Sequence, residues 1–211
     1  MDLRPAIKAQ RLEIADTFAT LTPEQWATPS CCEGWTVLQV AAHLTQGWNY
    51  TLAHAMVAMV KARGDLGKVN SHCLAPLAAA GPDAIIKDLR DNAASDFKPP
   101  GMGFQAPLND LVIHRRDIFL PLGIAYDTQH ELVENSLAMA TQGGMAKMVN
   151  SLKHLKGLRC VASDLDWTWG DGQEITGPAL PLAHALWGRG QSLGELSGPG
   201  VEILRQRLGA G

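Results

Sequence analysis

Asp110 and His114 form the residue pair of this chain whose types and spacing could support chemistry. They lie four residues apart in the segment NDLVIHRRDI, so on a helix both side chains leave the same face, one turn apart. A carboxylate and an imidazole in this arrangement can bind one divalent cation. A second helix must supply the third ligand, and His43, in the segment GWTVLQVAAHL, is the best candidate. Three protein ligands leave one coordination position for water or substrate, as in catalytic metal sites, which favours an enzyme.

The elements that must position these residues are mainly helical. Apolar residues at helical spacing predict helices over residues 4–21, 37–62, 82–96, 107–122 and 128–153. Thr22 is expected to cap a short helical turn and Thr36 the helix that carries His43, while Gly64 is expected to end that helix. Residues 64–81 contain glycine and serine, and they predict a long connection.

The C-terminal part of the chain has a different pattern. Residues with high β propensity flank Gly170-Asp-Gly172 and predict a short hairpin. Further helices are predicted over residues 178–187 and 201–208. The expected fold is therefore mainly α, with a helical bundle in residues 1–154 and a small C-terminal α/β appendage in residues 155–211.

The composition excludes several classes of protein. The 211 residues are 46% hydrophobic and 18% charged, with a net charge of -3, as expected for a soluble globular protein. Lysine and arginine form no run that would suggest nucleic acid or an anionic membrane as a partner. No stretch approaches the roughly 18 apolar residues of a membrane span, and the N-terminus lacks the apolar core of a secretory signal. The four cysteines have no CxxC spacing, so a reducing cytoplasm is the expected location.

Three regions resemble the mycothiol-dependent maleylpyruvate isomerase-like family, a branch of the DinB-like helical bundles. The segment SCCEGWTVLQVAAHL resembles the family element C-x-G-W-T-V-x-D-V-x-x-H-L, and DLVIHRRDI resembles E-x-x-x-H-x-x-D. The stretches SDLDWTWGDG, ITGPALPLAHALWGRG and ELSGPGVEILRQR are similar to the C-terminal part of many actinobacterial members. The resemblance implies a DinB-like four-helix bundle that holds a divalent metal, usually zinc, between two histidines and a carboxylate.

The resemblance assigns His43 and His114 as the two histidine ligands and Asp110 as the carboxylate. Asp110 is a departure, because the family usually has glutamate there, and aspartate is one methylene shorter. It would draw the metal toward its helix, bind it through water, or bind it weakly. Two imidazoles and a carboxylate suit zinc, nickel, iron or manganese. The resemblance further implies mycothiol as a thiol cosubstrate, for isomerisation or S-transfer on a small electrophilic molecule.

Other functions and other roles for the residues near His114 also fit the sequence. The same bundle could be a thiol-independent metal hydrolase, or a non-catalytic binding or stress-response protein with a degraded metal site. Arg115 and Arg116 could clamp an anionic substrate or form interhelical ion pairs. Asp117 could accept a hydrogen bond from the imidazole of His114 or form a structural salt bridge. Cys32 could lie near the metal or be a buried, inert thiol, and a homodimer fits a helical bundle without any sequence feature that decides it.

Overall fold

The computed structural model describes residues 2–50, 57, 60, 63, 66–142 and 151–209. The chain divides into two compact units, Met1–Ala125 and Tyr126–Gly211. It is mainly helical with a small three-stranded sheet in the second unit, which confirms the predicted fold class. Within the described parts of the chain, no helix combines the length and the apolar character that crossing a membrane requires.

The first unit is a bundle of helices around one apolar core. Its helices are α1 Arg4–Phe18, α2 Pro23–Ala27, α3 Val37–His43, α4 Gln46–Asn49, α5 Leu66–Ala79, α6 Pro82–Asp91 and α7 Gln105–Phe119. Helix α1 packs against α6 and α7, and α3 packs against α2, α5 and α7. The core side chains are at most 2% exposed and include Ile7, Ile14, Phe18, Val37, Val40, Leu89, Leu108, Ile118 and Phe119. Burial of each such side chain stabilises the fold by about 1.5–3 kcal/mol.

Capping boxes of the same design start α2 and α3. The Thr22 hydroxyl accepts from the backbone N–H of Gln25, and the Gln25 side chain accepts from the backbone N–H of Thr22. Thr36 and Gln39 repeat the arrangement at α3. Each box satisfies backbone donors that have no partner within the helix. Both predicted N-caps are therefore confirmed.

The single helix predicted over residues 37–62 is wrong, because α3 ends at His43. The backbone N–H and the hydroxyl of Thr45 both donate to the carbonyl oxygen of Ala42, which tightens the chain into a turn. The short helix α4 follows, and Tyr50 is extended. The remainder of the predicted helix lies outside the described residues, apart from positions 57 and 60.

The long connection predicted over residues 64–81 is also wrong, because α5 occupies Leu66–Ala79. Cys73 and Leu74 of this helix are buried, and α5 packs against α3 and α4. Tertiary burial therefore outweighs the glycine and serine content that favoured a loop.

The second unit combines helices with the sheet. Its elements are α8 His130–Thr141, α9 Ser151–Leu155, β1 Leu158–Ala162, β2 Thr168–Trp169, β3 Gln173–Gly177, α10 Ala179–Leu186, a 3₁₀ helix Gly190–Glu195 and α11 Gly200–Leu208. Helix α8 packs against α10, so the compact unit begins before α8, whereas the predicted domain boundary follows residue 154. Residues 143–150 of the helix predicted over 128–153 lie outside the described residues.

The hairpin predicted around residues 170–172 is wrong. Strand β1 is the central strand; it pairs antiparallel with β2, where Cys160 lies opposite Trp169, and parallel with β3. Residues 170–172 therefore connect two strands that do not pair with each other. Gly172 has a φ of 126°, and a Cβ added there would lie 2.1 Å from the carbonyl oxygen of Gly157. Glycine is required at this position, because the close approach leaves no room for a side chain.

Candidate metal site

His43 lies in the last turn of α3, and its side chain is 18% exposed. Its Nδ1 atom is 2.8 Å from the side-chain oxygen Oε1 of Gln46. Because an amide oxygen only accepts, His43 donates this hydrogen bond from Nδ1. The lone pair of the neutral imidazole is then on Nε2, the atom that faces Asp110.

Asp110 and His114 lie one turn apart on α7, as their spacing predicts. The Oδ1 atom of Asp110 is 3.3 Å from Nε2 of His114 and 3.6 Å from Nε2 of His43. The centroids of the two imidazole rings are 4.9 Å apart. The side chain of Asp110 is 44% exposed, compared with 12% for His114, so the group opens to solvent on its carboxylate side.

The spacing of these donor atoms fits a divalent metal. Two ligand atoms bound at about 2.0–2.1 Å to one tetrahedral zinc ion are about 3.4 Å apart. The observed separations of 3.3 Å and 3.6 Å are close to that value, and all three donor atoms lie within 4.8 Å of one another. The shorter side chain of Asp110 therefore reaches the same centre as both imidazoles.

Asp117 supports His114 from the side opposite Asp110. Its carboxylate is fully buried, and Oδ2 lies 2.8 Å from Nδ1 of His114. Buried carboxylates that accept from a ligand histidine fix the orientation of its ring and make its other nitrogen a stronger donor to the metal. Cys32 lies beside this pair and is partly buried, with Sγ 3.0 Å from the same oxygen of Asp117.

The electrostatics of the site favour positive charge between the two carboxylates. Desolvation lowers the pKa of His114, but attraction to Asp110 and hydrogen bonds to Asp110 and Asp117 raise this pKa well above its ordinary value. Desolvation likewise raises the pKa of Asp110, but the imidazoles of His43 and His114 hold this pKa well below its usual range. A divalent cation would displace the proton from His114. Like that proton, the cation carries positive charge, which the two carboxylates favour.

The two arginines after His114 are both buried. Arg115 donates from Nη1 to Gln10 and Glu13 of α1, at 3.0 Å in each case, and its guanidinium lies over the ring of Phe119. This is the interhelical ion pair that the sequence allowed as an alternative. A contact of Arg115 or Arg116 with substrate stays a prediction.

The sequence did not reveal Gln46, the hydrogen-bond partner of His43, or the buried Arg11. Gln46 follows His43 by three residues, and that spacing is a signal that could have revealed it. Arg11 is 2% exposed, and its guanidinium lies 4.8 Å from the ring centroid of Trp48. Its Nη1 donates to carbonyl oxygens after α6, those of Asn92, Ala93 and Ser95. Burial lowers the pKa of Arg11, and the charge of Asp110 counteracts this effect.

The helical architecture of the chain fits a DinB-like helical fold. Residues 7–96 match the family described as the mycothiol maleylpyruvate isomerase N-terminal domain, which confirms the predicted resemblance. The matched segment contains His43, whereas Asp110 and His114 lie beyond it.

Solved structures with the same fold carry the same family name. One is described as the crystal structure of the mycothiol-dependent maleylpyruvate isomerase, with 14% identity, a TM-score of 0.63, and coverage of 94% of this chain and 93% of that chain. The other is described as a histidine-to-alanine mutant of that isomerase, with the same identity and coverage and a TM-score of 0.62. At this identity the likeness establishes the fold. No curated protein sequence matches the chain.

Proposed function

We propose that this protein is a metal-dependent enzyme that uses the low-molecular-weight thiol mycothiol for isomerisation or S-transfer on a small electrophilic molecule. The observation that carries the proposal is the convergence of His43, Asp110 and His114 on one centre that is open on the side of Asp110. The family that residues 7–96 match and the names of the solved structures with the same fold support the thiol and the reaction class.

His43, Asp110 and His114 would hold the metal, for which zinc suits the donor set. Gln46 and Asp117 would keep the Nδ1 protons of the two histidines in place, so that both Nε2 atoms bear lone pairs toward the centre. When bound, a divalent metal with an open position lowers the pKa of a coordinated thiol, which then becomes a nucleophile at neutral pH.

A thiolate suits both reactions in the proposal. Its addition to a conjugated double bond forms a carbon–sulfur bond and moves the π electrons onto the conjugated acceptor, which leaves a single bond that can rotate. Return of the electrons expels the thiolate and gives the geometric isomer. If the carbon–sulfur bond is instead retained, either protonation of the adjacent carbon that holds the displaced electrons or departure of a leaving group from the attacked carbon gives an S-conjugate.

The first test is the metal content of the protein purified without chelators, measured by elemental mass spectrometry. The proposal predicts about one zinc or other transition metal per chain in the wild type, as expected for one three-ligand site. His43→Ala should lose this metal. His130→Ala is the matched control, because His130 is an exposed histidine at the start of α8. Equal metal content in the wild type and His43→Ala would contradict the proposed ligand set.

The second test is thiol dependence. Metal-loaded protein should isomerise maleylpyruvate or conjugate an electrophilic alkyl halide in the presence of mycothiol, and His114→Ala should abolish the reaction. Turnover of an ester or amide without any thiol would favour the hydrolase alternative. An absence of bound metal that persists after addition of zinc would favour a non-catalytic protein with a degraded site.

The proposal includes a small-molecule substrate and a cytoplasmic location. The four cysteines have no CxxC spacing, which suits a reducing compartment. A homodimer stays a prediction, which analytical ultracentrifugation of the purified protein would test.

A further inference from the structure

The thiol of Cys32 is part of the hydrogen-bond network behind the candidate metal site. Cys32 belongs to the loop between α2 and α3, and its Sγ atom is 3.0 Å from Oδ2 of Asp117 and 3.7 Å from Nδ1 of His114. Oδ2 of Asp117 is also the atom that accepts from His114. A carboxylate oxygen only accepts, so the thiol S–H and the imidazole Nδ1–H both donate to this one oxygen.

The neighbouring backbone attaches the loop to the same residue. The N–H of Cys31 donates to the carbonyl oxygen of Asp117 at 2.9 Å, so Asp117 contacts the loop through both its main chain and its side chain. The hydroxyl of Ser30 accepts from the N–H of Cys32 and donates to the carbonyl oxygen of Trp35, which orders the loop itself. These hydrogen bonds hold the backbone on both sides of Cys32 in the position that places its thiol beside Asp117.

The loop also leads directly into the helix that carries the other histidine. Thr36, the N-cap of α3, follows it, and the N–H of Val37 donates to the carbonyl oxygen of Thr28. The contact between Cys32 and Asp117 thus joins the support of His114 to the segment that starts the helix of His43.

We propose that Cys32 is a positioning residue, whose thiol holds the Asp117 carboxylate in the orientation that fixes the imidazole of His114. Cys32 acts through Asp117 and is not itself a metal ligand in this proposal. The separations of 2.8 Å and 3.0 Å to Oδ2 of Asp117 are hydrogen-bond distances. Two measurements test this role of Cys32. The first, metal affinity, rests on the proposed function, and the second needs no metal.

The experiment compares Cys32→Ala, which removes the donor, with Cys32→Ser, which keeps a donor on a similar side chain. Zn²⁺ affinity is measured by competition with a chromophoric chelator, below the unfolding temperature of each variant. We expect Cys32→Ala to weaken binding about tenfold and Cys32→Ser by less than about threefold, because loss of a supporting hydrogen bond typically costs 10–100-fold. Cys160→Ala is the matched control, since it removes a fully buried thiol from β1 in the other unit. It should leave Zn²⁺ affinity unchanged.

Several results would overturn the proposal. If Cys32→Ala bound Zn²⁺ with wild-type affinity, the thiol would not position the site, even if the variant were less stable. Equal weakening in both Cys32 variants would assign the effect to packing rather than to the donor. A sulfur-to-metal charge-transfer band in Co²⁺-loaded wild type, lost in Cys32→Ser, would make Cys32 a ligand.

The second readout is the exchange of the His114 Nδ1 proton with water, followed by NMR in metal-free protein and assigned with His114→Gln. We expect slow exchange in the wild type and in Cys32→Ser, and exchange at least about tenfold faster in Cys32→Ala, because local opening controls such exchange. Equal exchange in all three proteins would overturn the proposal. If the wild type bound no Zn²⁺, the proposed function would fail, and this readout alone would decide the role of Cys32.

Discussion

Asp117→Asn is the substitution that most directly tests whether Asp117 supports the candidate metal site. The side chain keeps its shape and one acceptor oxygen, but it loses the charge that now lies 2.8 Å from Nδ1 of His114. A hydrogen bond to a charged group contributes about 1.5–3 kcal/mol, and a neutral one about 0.5–1.5 kcal/mol. The difference of about 1–2 kcal/mol corresponds to a roughly 5- to 30-fold loss of Zn²⁺ affinity. The site is buried at Asp117, so solvent screens little of this effect.

The assay is competition for Zn²⁺ with a chromophoric chelator at one fixed pH, with Asp91→Asn as the control. Asp91 is an exposed carboxylate on α6 that is paired with Lys87, so its neutralisation should leave Zn²⁺ affinity within about twofold, as for most surface substitutions. Unchanged affinity in Asp117→Asn would refute the supporting role. Complete loss of Zn²⁺ binding would instead indicate that Asp117 is a direct ligand.

Three further substitutions test other parts of the structure. Gln46→Leu removes the acceptor for Nδ1 of His43, so Zn²⁺ should bind about tenfold more weakly by the same competition assay; unchanged affinity would exclude this role. Gly172→Ala should lower the free energy of unfolding in urea by about 2 kcal/mol or more, because a Cβ meets a backbone carbonyl at a positive φ, whereas Gly194→Ala, with open space around it, should change it little. Burial raises the pKa of the Cys160 thiol from 9.0 to about 12, so the folded chain keeps a proton that the unfolded chain releases above pH 9. Relative to Cys160→Ala, the wild type should therefore lose about 1.4 kcal/mol of unfolding free energy per pH unit between about pH 9 and 12, measured by urea titrations at several pH values. Equal pH dependence of the two proteins would show that the thiol ionises normally when folded.

The features that the sequence predicted correctly depend on local rules. Thr36 caps α3 because a threonine side chain can reach the backbone three residues ahead, and the side chain of Gln39, the residue at that position, completes the box. Asp110 and His114 share a face because four residues make about one helical turn. His43 is the best candidate for the third ligand on a second helix, the resemblance to a known family supports that assignment, and the structure places its Nε2 close to Asp110.

The features that the sequence did not reveal depend on contacts between distant segments. The glycine and serine content around residues 64–81 favoured a loop, but burial of Leu74 against the bundle stabilises α5. The strand pairing of the C-terminal sheet involves a parallel partner, which local turn propensity does not indicate. The place of Cys32 beside Asp117 follows from the packing of a loop on a helix, and neither residue type nor spacing encodes it.

The separation of the three candidate ligands along the chain would give a bound metal a role in protein lifetime. An ion held by His43, Asp110 and His114 would be a non-covalent cross-link that closes a loop of about 70 residues. Because the unfolded chain does not hold these ligands together, the ion binds the folded state selectively and stabilises it by about 2.7 kcal/mol at 100 times its dissociation constant. Under metal starvation the unfolded fraction would rise about 100-fold by the same relation. Cellular proteases would then remove the empty protein faster than the loaded one, so the abundance of this protein would follow the supply of its metal.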